Sequence, residues 1–200
     1  DHMNFLMMAA HDTITSSATS MTYLLAKHPE WQERLREECL AVAPAGTVLT
    51  VEQLGKLELT EMAFKEALRM IPPVPSIPRR ALKEFTFRNY TIPAGTNIGI
   101  SPQFVHKMEK HWPEPEKFDP LRFTPENSAG RHKYAWVPFG GGAHMCLGLH
   151  FAYMQIKILM HAMLTQNRIV LQDGPDYEPK WQVFPIPQPR DGLPVRLERL

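Results

Sequence analysis

Apolar side chains recur at helical spacing in four parts of the chain. From Phe5 to Ala26, Phe5, Met8, Ala9, Tyr23, Leu24 and Leu25 stand among small polar residues, and Pro29 ends the run after Lys27 and His28, which suit a helix C-terminus. Pro29 then opens a second helix at a position where a missing N–H costs nothing. From there to Val42, Trp31, Leu35 and Leu40 alternate with Glu33, Arg34, Arg36, Glu37 and Glu38, an amphipathic pattern with one solvated face. Thr50 and Gln53 form a capping-box pair ahead of a short helix. A further helix is predicted over Thr60–Ile71, where Met62, Ala63, Ala67, Leu68 and Ile71 follow a 3.6-residue period until PPVPSIP stops it. The last runs from Leu147 to Gln166.

Between these helices the pattern shortens. From Arg80 to Ile100 the runs FTF, YTIP and TNIGI, punctuated by Asn89, Pro93 and Gly95, predict small strands and turns. Residues 106–136 carry four prolines and Gly130 with little periodicity, a length of ordered coil that is uncommon without a purpose. The tail from Ile169 mixes a short strand with proline-rich sequence. The expectation is a mainly α protein with small β-sheets.

Composition narrows the function classes. At 200 residues and 44% hydrophobic content the chain can bury a core, and a net charge of +1 with 22% charged residues provides no field for nucleic acid. Two cysteines, Cys39 and Cys146, are too few for a disulfide scaffold, so a reducing compartment is expected. There is no signal-peptide pattern and no apolar run of roughly 18 residues that would span a bilayer.

The candidate chemistry centres on Val137-Pro138-Phe139-Gly140-Gly141-Gly142-Ala143-His144-Met145-Cys146. Three glycines allow positive φ and close backbone approach, and the cysteine sits at or just before a helix start, where free N–H groups and the helix dipole suit an anionic sulfur. Four uses follow. Zinc needs more ligands than the His144-x-Cys146 pair, and no second pair is present. A cysteine nucleophile needs a histidine base, and none of the nine histidines stands in a protease context, which leaves that use open but without a partner. A buried structural thiol suits Cys39. Axial ligation of haem iron by Cys146 is the fourth.

The segment FGGGAHMCLG resembles the haem-binding signature of the cytochrome P450 superfamily, with Phe139, Gly142, His144, Cys146 and Gly148 in its motif positions. The resemblance implies that Cys146 ligates the iron of haem b (iron protoporphyrin IX) and that Phe139 packs near the sulfur, with Ala9, Pro138 and Gly148 also beside the cofactor. His144 replaces the usual arginine, as in some members including sterol 14α-demethylases, and would contact a haem propionate. Arg80, rather than Arg79, matches the family's other propionate-binding arginine. Glu66-Ala67-Leu68-Arg69 looks like the family's E-x-x-R motif and FDPLRF the segment whose arginine, Arg122, completes a Glu-Arg-Arg network. Ala9-Ala10-His11-Asp12-Thr13 resembles the oxygen-activating motif, Ala10 standing where the family has glycine, with Asp12 and Thr13 as the proton-delivery pair. A helical threonine can bond a carbonyl one turn back and open the helix locally.

By the same resemblance the chain is one partial domain, residues 1–200, corresponding to the C-terminal half of the family fold from the oxygen-activating helix to the chain end. The N-terminal half, with any membrane anchor, is expected to lie outside it. The implied function is a haem-thiolate monooxygenase that inserts one atom of dioxygen into a small apolar substrate. Electrons would come from NAD(P)H through a ferredoxin, flavodoxin or flavoprotein reductase that meets Arg131, His132, Lys133 and Lys157. Solvated charges with no partner are the other reading of those four. Phe5, Met8, Val74, Ile77 and a turn near Val183–Ile186 resemble substrate-lining positions. A peroxide-driven or isomerising haem enzyme and a non-catalytic haem-binding fragment stand as alternatives. Location is left between the cytoplasm and a membrane-anchored form.

Overall fold

The computed structural model describes residues 2–200. Its first helix, α1, spans His2–Lys27 and is followed after one residue by α2, Pro29–Val42, with Pro29 at its first turn. The expected capping box starts α3, Val51–Gly55: Gln53 N–H donates to Thr50 Oγ1 (3.2 Å) and Thr50 N–H to Gln53 Oε1 (2.9 Å). Helix α4, Glu58–Met70, begins two residues earlier than its apolar period suggests. The reason lies outside its own sequence. The Glu38 carboxylate of α2 accepts from the Leu59 and Thr60 N–H groups (2.5 and 2.9 Å) and from the Thr60 hydroxyl (2.7 Å), so a neighbouring helix caps this one.

Four two-stranded antiparallel sheets follow from the short runs. Strand β1 (Ile77–Arg80) pairs with β4 (Asn97–Ile100), Ile77 opposite Ile100 and Arg80 opposite Asn97, while β2 (Phe85–Phe87) and β3 (Tyr90–Ile92) form a hairpin. The pattern does not foretell β1, because Pro78 breaks it. A two-stranded ribbon tolerates that proline, since one edge of each strand needs no ladder bond. The short helix α5 (Pro102–Val105) precedes the long coil, α6 (Pro125–Ser128) interrupts it, and α7 covers Leu149–Leu164. In the tail, β5 (Asn167–Leu171) pairs with β8 (Val195–Arg199), and β6 (Trp181–Gln182) with β7 (Gln188–Pro189).

Helices α1, α2, α4 and α7 enclose the core. Met21, Leu25, Leu35, Phe64, Met160 and Leu164 meet there with almost no exposed surface, and Phe118 and Ile169 join from the coil and β5. Only the C-terminal part of α1, Ser16–Leu25, is sunk into this core; most of its N-terminal part is exposed. Among the described residues no helix is long and apolar enough to cross a membrane.

Candidate functional site

The loop before α7 is held by its own backbone. Gly140 and Gly142 take positive φ (71° and 68°), conformations that side chains rarely adopt. Gly140 N–H donates to Val137 C=O (3.1 Å), Met145 N–H to Gly142 C=O (3.2 Å) and Cys146 N–H to Phe139 C=O (2.9 Å). These bonds keep Cys146 and Leu147 in the turn, so α7 starts at Leu149, with Gly148 as its N-cap, two residues later than the apolar run suggests. None of the hydrogen bonds described ends on Cys146 Sγ, in contrast to the cage of N–H donors that the glycines suggest. The Cys146 thiol is free and exposed.

Beside that thiol lies a cavity of about 590 Å³. Val74, Ile77, Leu82 and Phe139 form apolar walls, and Arg79, Arg80 and His144 add basic groups. The Phe139 ring is anchored by Trp136 and Tyr153, with ring centroids 6.0 and 5.9 Å away. Arg80 Nε donates to Gly95 C=O (3.2 Å) and Arg79 Nη1 to Pro78 C=O (2.9 Å), so the lining does not single out one arginine. Among the described residues no group of three His, Cys, Asp or Glu side chains converges. The cavity therefore presents one thiol, basic groups and an apolar floor.

A smaller cavity of about 90 Å³ joins α1 to the same loop through Ala10, Thr13, Val74, Pro138, Phe139 and Gly148. The Thr13 hydroxyl donates to Ala9 C=O (2.8 Å), the bond one turn back that its position suggests. Asp12, its expected partner, does not share this cavity. Successive helical residues point ~100° apart, and Asp12 bonds His11 Nδ1 (2.8 Å) and lines a separate cleft with Pro185 and Pro187 of the tail. Ala9 is half-buried under the Thr13 bond, whereas Phe5 and Met8 are exposed and line none of the cavities described. The turn at Val183–Ile186 faces other cavities than the one beside Cys146.

Glu66 and Arg69 are completely buried, far from the ordinary surface pair that i, i+3 spacing alone suggests. Their bond is bidentate, Nε to Oε2 at 2.7 Å and Nη2 to Oε1 at 2.9 Å, and Asp119 N–H adds a third donor at 3.0 Å. Arg122 Nε stands 3.3 Å from Glu66 Oε1, within ion-pair range but not aligned as a hydrogen bond. Its two Nη groups donate to Pro113 C=O (2.6 Å) and Glu114 C=O (2.7 Å). Arg69 reaches the coil as well, at His106 C=O (2.9 Å) and Lys117 C=O (3.4 Å).

Two of the four cations expected on a docking surface are committed elsewhere. Lys157 is buried, donating to Leu54 C=O (3.0 Å) and the Glu61 carboxylate (2.7 Å). Arg131 is half-buried with its guanidinium 4.1 Å from the Trp112 ring centroid, and it donates to the carbonyls of Arg122 and Asn127. The helix position looks solvated in sequence because its partners come from remote segments, and the coil position because no period marks which way it faces. His132 and Lys133 remain exposed. The residue that pattern reading misses is His106, a buried ring whose only sequence mark is a histidine in the coil.

Comparison with known proteins fits this geometry. The family model described as Cytochrome P450 matches residues 2–194. "Putative cytochrome P450 136" of Mycobacterium tuberculosis is 42% identical over 198 residues, which are 98% of this chain and 40% of that protein. Human cytochrome P450 4X1 is 38% identical, with 97% and 38% covered. Among solved structures, retinoic acid-bound cyanobacterial CYP120A1 superposes with a TM-score of 0.88 at 35% identity, over 98% of this chain and 45% of that one. The haem domain of a cytochrome P450DA mutant gives 0.87 at 25% identity, over 95% and 41%. The helices with small sheets are thus part of that fold, and the chain spans about 40% of the length of the curated relatives it matches.

Proposed function

Since the chain belongs to the cytochrome P450 family, we propose that it is the haem-binding part of a haem-thiolate monooxygenase, which uses dioxygen to oxidise an apolar organic substrate. The observation that carries this is the cavity in which the exposed Cys146 thiol, His144, Arg79 and Arg80 border apolar walls. That donor set fits iron protoporphyrin IX: one soft ligand for the metal, apolar side chains for the macrocycle and basic groups for two carboxylates. Bound there, the haem would supply an iron whose thiolate ligand favours cleavage of the O–O bond.

The chain's own residues do the rest. Cys146 would hold the metal from a loop whose backbone bonds fix its position. His144 and Arg80 would grip the propionates. Val74, Ile77 and Phe139 keep water from the reacting face. The Thr13 hydroxyl, held by Ala9 C=O, is the proton carrier on α1, whereas Asp12 bonds His11 and faces a separate cleft. NAD(P)H-derived electrons arrive through a ferredoxin, flavodoxin or flavoprotein reductase that meets His132 and Lys133. Val74 and Ile77 at the site favour a hydrophobic substrate such as a steroid, terpenoid or fatty acid, and the retinoic acid in the cyanobacterial structure belongs to that chemical class.

The test is the absorption spectrum of the reduced, carbon monoxide-bound protein. A thiolate-type Soret shift is expected, with its loss in Cys146→Ala. A normal shift that survives the substitution overturns the ligand assignment.

A further inference from the structure

His106 is fully buried, and two of its hydrogen bonds run to different parts of the fold. Its backbone carbonyl accepts Arg69 Nη1 (2.9 Å), and its ring Nε2 accepts the N–H of Val137 (2.9 Å). Val137 is the first residue of the cysteine loop, and its carbonyl takes Gly140 N–H, while Phe139 C=O takes Cys146 N–H. An unbroken series of hydrogen bonds and covalent links thus runs from the Glu66–Arg69 pair, through one imidazole, into the loop that bears Cys146. Accepting at Nε2 leaves the proton of a neutral ring on Nδ1, which has no aligned hydrogen-bond partner, although backbone groups of Arg69 and Leu68 lie close to the ring. A residue needed only for volume would avoid an orphaned donor. The ring's polar edge is kept for Val137.

The surroundings give the bond leverage. Trp112 Nε1 donates to Ala135 C=O (3.2 Å) and Trp136 Nε1 to Lys65 C=O (3.2 Å), so three consecutive residues, 135–137, are each fastened through an aromatic ring nitrogen. The two tryptophans fix the approach to the loop, and His106 fixes its first amide. Burial pushes the His106 pKa down to about 4, against the opposing effect of nearby Arg69 and Leu68 backbone groups and with the Arg69 charge adding to the depression, which keeps Nε2 free to accept near neutral pH.

We propose that His106 is a positioning residue for Cys146, setting the register of the Val137–Cys146 loop through the Val137 N–H and coupling that loop to the Glu66–Arg69 pair. The inference rests on Cys146 being the reactive centre proposed above, and its test reads the loop separately from the metal.

Glutamine and asparagine distinguish the two ring nitrogens: a glutamine carbonyl reaches about as far as Nε2, whereas an asparagine carbonyl reaches only as far as Nδ1. In the haem-loaded protein, His106→Asn and His106→Phe should raise amide hydrogen exchange at Val137 and over residues 139–146 by roughly tenfold, the size of one net hydrogen bond. Exchange in α2 should be unchanged, and part of the reduced, carbon monoxide-bound protein should move from the thiolate to the thiol spectrum. His106→Gln should restore both readouts to within about twofold of the parent, as retention of that one bond requires. Equal behaviour of the Gln and Asn variants, or parental loop exchange in His106→Asn, overturns the proposal. If His106→Phe does not fold, the Gln/Asn pair still decides. Loop exchange follows His106 whether or not Cys146 is the iron ligand, and Cys146→Ala tests that ligand on its own.

Discussion

At the scale of single residues, the two cysteine sulfurs of the chain meet opposite surroundings. Cys39 has no exposed surface, lies 3.9 Å from Thr60 Oγ1 and packs with Leu54 and Leu57; burial pushes its thiol up to about 11. Its thiolate is scarce at neutral pH, and reagents cannot reach it. Cys146 is open to solvent beside the large cavity. In haem-free protein, iodoacetamide at neutral pH should therefore alkylate Cys146 first and reach Cys39 only on unfolding, and haem loading should protect Cys146. Peptide mass mapping reads this directly, and early modification of Cys39 would contradict it. The same contrast of setting separates Lys157 and Arg131 from Lys133. Long cationic side chains can bury their stems and spend their charge on acceptors within the protein, so residue type alone does not mark a docking surface.

At the scale of elements, α1 divides its work along its length. Ser16–Leu25 is packed into the core and gives the exposed N-terminal part a rigid base, while Thr13 sits at the boundary, bonded to Ala9 C=O and facing the small cavity that reaches Phe139 and Gly148. Thr13→Ala should leave haem binding and helix content intact but lower product formed per electron pair consumed by roughly tenfold, as expected when a placed proton carrier is removed. Unchanged coupling, measured as oxygen consumed against product, argues against the assignment. Helices of this kind are legible in sequence, because a period of 3.6 is written along the element itself: α2 and the capping box of α3 follow it closely. What escapes is written elsewhere. The start of α4 depends on Glu38 of another helix, the start of α7 on bonds inside the glycine loop, and β1 on a partner strand that excuses its proline. Cys146, His144 and the Glu66–Arg69 pair can be picked out by their resemblance to family motifs, whereas His106 has no period or motif and declares itself only through contacts with residues more than 30 positions away.

At the scale of the whole molecule, one buried imidazole shapes the acid limb of stability. The folded-state pKa of His106 is about 4 against 6.5 for a free imidazole. Above pH 6.5 neither the folded nor the unfolded state carries the proton. Below it the unfolded chain takes up a proton that the folded one refuses until about pH 4, so stability falls with pH across that window, by up to about 3 kcal/mol. Glu33, held low chiefly by its bond to Arg36, and Asp191, held low chiefly by Tyr177, lose their advantage only below the ordinary carboxylate range. Urea unfolding at a series of pH values should show the decline between pH 6.5 and 4, and His106→Gln should flatten it; an unchanged slope in that variant would place the effect on other groups. The long coil shows a different kind of economy. Arg69, Arg122 and Arg131 hold it by the carbonyl oxygens of His106, Pro113, Glu114, Lys117, Arg122 and Asn127. Every amino acid carries that oxygen. A segment gripped in this way can exchange many of its own side chains and still follow the same path, so its trace can outlast its sequence, provided the three guanidinium groups that read its backbone are kept.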